Sequence, residues 1–209
     1  MSYILRISAF ALPTGLLVAT LPMQLGAQPG SRPSSGMMFG VALGVSRVSL
    51  RALPTLPAVN GTDIALGWHV GYQTSTRFAI KFAASSSVYR YPGPGRARKR
   101  GFETLMPMLE YRVDDRLRLS AGAGLQMDAP VFYDLRPSTA GERTFHHGLG
   151  AVFGLSYALR AGQRYSPDVQ ARYNVGYANV PQGRVVGQTG ALLIGVRRDP
   201  MAPSVTPPR

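Results

Sequence analysis

The run RARKR, residues 96–100, sits inside PGPGRARKRG and is the densest cluster of like charge in the chain. Arg96, Arg98, Lys99 and Arg100 could hold phosphate or sulfate, since a guanidinium meets two oxygens at once. The Pro and Gly before them predict an exposed loop tip. A second set of charges, Lys81, Glu110, Arg112, Arg118, Asp168 and Arg172, is scattered among small and apolar residues. Charges of both signs on one enclosed face must pair or meet water, so a network around Glu110 and Asp168 is expected. Ser85, Ser86 and Ser87, with His69, His146 and His147, are the remaining candidates for chemistry. A nucleophile needs a base and an orienting acid within reach, and no short stretch of this chain assembles the three. No catalytic residue is assigned. His146 and His147 are adjacent, and adjacent residues on a strand point to opposite faces, so no shared metal is expected; no cofactor is expected either.

The elements that position these residues follow from one pattern. DIALGWHVGYQ (63–73) alternates large apolar residues with small or polar ones, the period of a β-strand with two unlike faces. The pattern recurs in FGVALGVSR (39–47), RFAIKFAASSSVY (77–89), TLMPMLEYRV (104–113), LRLSAGAGLQM (117–127), GLGAVFGLSY (148–157), DVQARYNVGY (168–177) and, less cleanly, VVGQTGALLIGV (185–196). Eight strands result, each near the roughly 9–11 residues that cross a bilayer when tilted. TSTR and VDDR make tight connections and ALRAGQRYSP a longer one on the same side. The alternate connections, 51–60, 91–101, 128–144 and 179–184, are mostly long and carry most of the basic residues. Phe39, Tyr72, Phe78, Tyr111 and Tyr157 all fall beside the short turns and predict an aromatic girdle at one depth; Tyr89, Tyr91 and Tyr177 predict a looser ring at the other end.

Composition and the two ends narrow the class. The chain has 209 residues, a formal charge of +13 and no cysteine, so no disulfide staples it. Arg6, the apolar run ISAFALPTGLLVATLP and a small residue at Ala27 predict a cleaved export signal over 1–27. Residues 28–36 read as a flexible leader, 37–198 as the strand domain and 199–209 as a disordered Pro-rich tail. Export argues against nucleic acid as the partner of the basic run.

The bulky face carries no charge within these central runs, and the opposite face is mainly Gly, Ala and Ser. A soluble barrel would show water a charged face, whereas a membrane barrel turns the bulky face to lipid and packs the small face into its lumen. With its export signal, eight alternating strands, unequal loops and small polar face, the chain resembles the small outer-membrane β-barrels that include the OmpA transmembrane domain and OmpX-like proteins, over about residues 37–198. The resemblance implies an all-β, eight-stranded antiparallel up-and-down transmembrane barrel in the outer membrane of a Gram-negative cell envelope. Members usually end their last strand on an aromatic residue; here the strand ends LLIGVRR. The expected role is structural or surface-interacting, with lipid and the phosphates of lipopolysaccharide as partners and no assigned partner protein. Two rival readings remain. One is a soluble exported barrel of lipocalin type, which would enclose Trp68, Phe82, Leu109 and Phe153. The other is an outer-membrane lipid-modifying enzyme.

Overall fold

Alternating side chains fold the chain into eight strands, described by a computed structural model over residues 35–51, 58–93, 96–131, 144–160, 164–181 and 183–200. They are β1 (Gly36–Arg51), β2 (Val59–Gln73), β3 (Phe78–Gly93), β4 (Arg96–Arg112), β5 (Leu117–Pro130), β6 (His146–Ala158), β7 (Tyr165–Val180) and β8 (Gly183–Arg198). Each pairs antiparallel with its sequence neighbour, and β1 pairs with β8 to close a barrel. Leu43 lies opposite Leu66 on one side and Ile194 on the other, so the bulky residues form continuous rows around the outside.

Two connections at one end of the barrel are tight because side chains complete them. In the β2–β3 turn the Ser75 hydroxyl accepts the N–H of Phe78 at 3.0 Å. In the β4–β5 turn Asp114 Oδ1 accepts the N–H groups of Leu117 and Arg116, each at 2.7 Å. Those two donors hold the Asp114 carboxyl below its ordinary range. The β7–β8 turn at the other end needs a glycine, since Gly183 has φ 134°.

The small residues face inward and the large ones outward. Val41, Leu43, Leu109 and Ile194 are more than half exposed, while Met38, Phe102 and Met106 are fully buried inside. This excludes the lipocalin arrangement, because Trp68, Phe82, Leu109 and Phe153 all stand exposed on the outer surface. Proline is tolerated on that surface. Pro107 has no N–H to give, and the β4–β5 ladder is interrupted between Leu105↔Leu125 and Met108↔Gly122, while Phe82↔Pro107 continues the ladder with β3.

Several expectations need correction. The strands run 13 to 17 residues, longer than the hydrocarbon of a bilayer requires. Residues 91–101 are therefore not a long loop. β3 and β4 stay paired to Gly93↔Arg96, and RARKR opens β4. Alternation then splits that cluster: Arg98 and Arg100 turn inward and are buried, whereas Lys99 is half-buried on the outer side. Arg96 is on β4, with its side chain outside the described residues. The connection at 179–184 also shrinks, to a turn beyond Val180↔Gly183. Tyr89 is buried inside and donates to Asp128 at 2.8 Å, so it belongs to no outer ring. Gly36 already belongs to β1, and Asp199 is buried, held by two guanidiniums, so the disordered tail does not begin there. The predicted signal segment 1–27, the loop residues Arg136 and Arg143, and residues 201–209 lie outside the described residues.

Candidate functional site

The lumen is filled in layers. At the end bearing the short turns, β3, β4, β5 and β8 aim charged side chains at one another. Glu110 is the centre. Lys81 Nζ donates to its Oε2 at 2.7 Å and Arg197 Nη1 to the same oxygen at 3.1 Å, while Arg197 Nη2 donates to Oε1. Arg118 Nε stands 3.9 Å from Oε1. Arg197 Nε also donates to Asp199 Oδ1 at 2.6 Å, and Arg118 Nη2 to Asp199 Oδ2 at 2.5 Å. Such pairing offsets the desolvation of buried charges, which without a partner costs several kcal/mol.

The other predicted lumen charges are placed differently. Asp168 does not join Glu110; Gln170 Nε2 donates to its two oxygens at 3.0 and 2.9 Å. Arg172 Nε and Nη2 both donate to Gln170 Oε1, at 3.1 and 2.6 Å. Arg112 donates to Gln73 at 3.3 Å. His69, one of the candidates for chemistry, packs its ring over Gly40 and finds no hydrogen-bond partner for either nitrogen among the described residues. A void of about 20 Å³ lies among His69, Lys81, Asp168, Arg172 and Arg197, enough for about one water.

Above this layer Ala83, Met106, Met108 and Val152 form one apolar cluster and Ala42, Ala65, Ala191 and Leu193 another. A polar tier follows, with Ser85, Thr104 and Asn174 linked by hydrogen bonds of 2.7 and 3.3 Å. Val48, Leu50, Tyr89, Phe102 and Val185 then pack into an apolar plug. Arg100 and Tyr89 clasp Asp128 beside it, each at 2.8 Å.

The outer surface carries its charges at the two ends of the barrel, and the end bearing the longer connections is the more basic along its strands. Arg47, Arg51, Arg90 and Arg184 are exposed there, Lys99 pairs with Asp63 at 3.1 Å, and Arg184 lies over the Tyr177 ring at 4.2 Å. At the opposite end Phe78 and Tyr111 stack with ring centroids 5.2 Å apart, and Phe39 meets Tyr165 at 6.5 Å. Tyr72 and Tyr157 are exposed on the outer face of their strands. Arg198, which ends the last strand where an aromatic would be usual, lies over Phe39 at 5.6 Å.

Four participants escape the sequence reading. Arg197 and Asp199 follow a strand taken to end at 196, although continuing the alternation inward from Gly195 finds Arg197. Asp128 lies where that reading starts a loop. Glu103 precedes a strand taken to begin at Thr104, and the structure puts it on the outer face, accepting a hydrogen bond from Ser86 at 3.1 Å.

No family model matches the chain, and no curated protein matches it by sequence. Solved structures do. The attachment invasion locus protein Ail of Yersinia pestis aligns with TM-score 0.51 at 12% identity, over 77% of this chain and 97% of that one. Ail in complex with the heparin analogue sucrose octasulfate gives 0.50 at 12%, over 77% and 98%. Neisserial surface protein A gives 0.49 at 17%, over 78% and 98%. The fold is that of the small eight-stranded outer-membrane β-barrels.

Proposed function

We propose that this protein is an integral outer-membrane barrel, with a lumen sealed by its own side chains and a basic outer rim that contacts anionic groups of the outer leaflet. The observation that carries this reading is the inversion of polarity. Charges such as Glu110, Lys81 and Arg197 are buried inside, while Val41, Leu109, Leu192 and Ile194 stand more than half exposed outside. Water disfavours an apolar belt that encircles a protein, and hydrocarbon accepts it. The aromatic residues beside the short turns suit one interface, and Arg47, Arg51, Arg90 and Arg184 suit the other. Strands of 13 to 17 residues are long enough to reach past the hydrocarbon, which supports a position for Arg47, Arg51, Arg90 and Arg184 level with lipid phosphates. Guanidiniums there suit phosphate, including that of lipopolysaccharide, and the Ail complex with a sulfated sugar supports a polyanion contact on this fold. The reading assigns no catalytic step. Ser85 bonds Thr104 and Asn174, and Ser86 bonds Glu103.

Membrane fractionation with gel mobility before and after boiling tests the placement. The protein should sediment with the outer membrane, resist carbonate and migrate differently unboiled. Recovery in the soluble periplasmic fraction would defeat the reading.

A further inference from the structure

On the outer face a groove of about 680 Å³ crosses the strands, within the range of small-ligand sites. It runs between two adjacent rows of outward side chains. Cross-strand pairing carries one row from Val196 through Val41 and Trp68 to Ala84 and Leu105. The other row runs parallel to it and ends at Ser86, Glu103 and Met127. The floor is backbone at Gly67, Ser85 and Gly195, and the small side chains of Ala84 and Ser86 leave it deep at β3.

Strand tilt inclines the groove across the membrane. Its β8 end begins near Arg198, at the short-turn side. Its β4 end at Glu103 lies eight residues (111 − 103) along the strand from Tyr111 of the girdle. At ~3.3 Å per residue and a tilt of ~40°, that is about 20 Å higher, near the top of an apolar band ~25 Å tall. The groove is thus apolar along its length and polar only at its upper end. There the Glu103 carboxylate is half-buried, accepts one hydrogen bond, from Ser86, and has no ion-pair partner among the described residues. The nearby cation on the same strand face, Lys99, is already paired with Asp63.

We propose that this groove holds the hydrocarbon chain of an amphiphile whose ammonium head group sits on Glu103 and Ser86. A carboxylate facing the edge of the hydrocarbon without a cation of its own attracts one, and the three N–H donors of an ammonium suit two carboxylate oxygens and a hydroxyl. A phosphate or carboxylate head is repelled at the same place. The inclination fits as well, since a chain anchored at the outer interface descends towards the membrane centre. This inference rests on the outer face meeting lipid.

Trp68 lines the groove and is the only tryptophan of the chain, so its fluorescence reports occupancy. The full-length protein would be placed in phospholipid nanodiscs with brominated single-chain amphiphiles of equal length bearing an ammonium, an alcohol or a carboxylate. The ammonium should quench Trp68 at a mole fraction about tenfold below the carboxylate, the effect of one charge-assisted hydrogen bond. Glu103→Gln should abolish that advantage, and Ala84→Leu, which fills the floor, should weaken quenching by all three. Equal quenching by the three heads means ordinary boundary lipid and overturns the proposal, as does quenching that disappears when protein is crowded, which would mean a second barrel covers the groove. In the boundary-lipid case a brominated phospholipid still quenches Trp68, and in the crowded case it does so again once the protein is diluted in lipid. If no brominated chain quenches it, the membrane placement itself fails.

Discussion

Arg197 uses its whole guanidinium. Nε is given to Asp199, Nη1 and Nη2 to Glu110, and Nη2 also approaches Met38 Sδ at 3.8 Å. Removing it leaves two buried carboxylates with Lys81 and Arg118 alone to compensate them. Arg197→Ala is therefore expected to lower stability by about 3–5 kcal/mol, the cost of breaking a buried ion pair from one side. Arg197→Lys keeps the charge but loses the fork and should fall between this variant and the parent. Arg112→Ala removes a half-buried group held to Gln73 by one 3.3 Å hydrogen bond, and should cost about 1 kcal/mol. Urea unfolding in lipid vesicles measures all three. If Arg197→Ala costs no more than Arg112→Ala, water reaches Glu110 and the lumen is not sealed at that end.

At the scale of strands, the contact between β1 and β8 depends on a missing side chain. A Cβ at Gly44 would lie 2.0 Å from the Leu192 carbonyl oxygen and 2.7 Å from the Leu193 Cα. Neither is the tip of a flexible group. Gly190, on β8 of the same pair, has open space where its Cβ would be. Gly44→Ala must push the two strands apart and should lower stability by about 1–3 kcal/mol, whereas Gly190→Ala should be neutral or slightly stabilising. Their unfolding midpoints in one lipid give the comparison, and equal midpoints would contradict a close β1–β8 approach. The alternation that makes this seam was plain in the residues, because a half-apolar strand repeats every two positions wherever one face meets hydrocarbon. Strand ends were less legible. Beyond the apolar belt both faces turn polar, so Arg98, Arg100 and Asp128 resemble loop residues although the ladder continues through them. The partners of Glu110 were hidden for another reason. Lys81 is 29 residues away in sequence and Arg197 is 87, and register around a closed ring, which spacing cannot reveal, decides that they meet.

The barrel is a ring in which seven of the eight seams join sequence neighbours. Only β1–β8 joins distant strands, and Met38 meets Arg197 across 159 residues. Seven hairpin seams can form locally, but this one must wait for the last strand to be made. β8 also brings Arg197, and Asp199 follows it, so the central ion-pair cluster is incomplete until the ring shuts. An unclosed sheet in hydrocarbon would present two bare edges and leave Glu110 short of its main partner, and each unsatisfied backbone group there costs several kcal/mol. A chain ending before Gly183 should accordingly stay protease-sensitive in vesicles and show no separate unboiled band; a resistant, heat-shifted species would refute this. Proofreading thus falls to the solvent: the bilayer accepts a finished circle and rejects a nearly finished one, and the last strand acts as the seal that certifies the product.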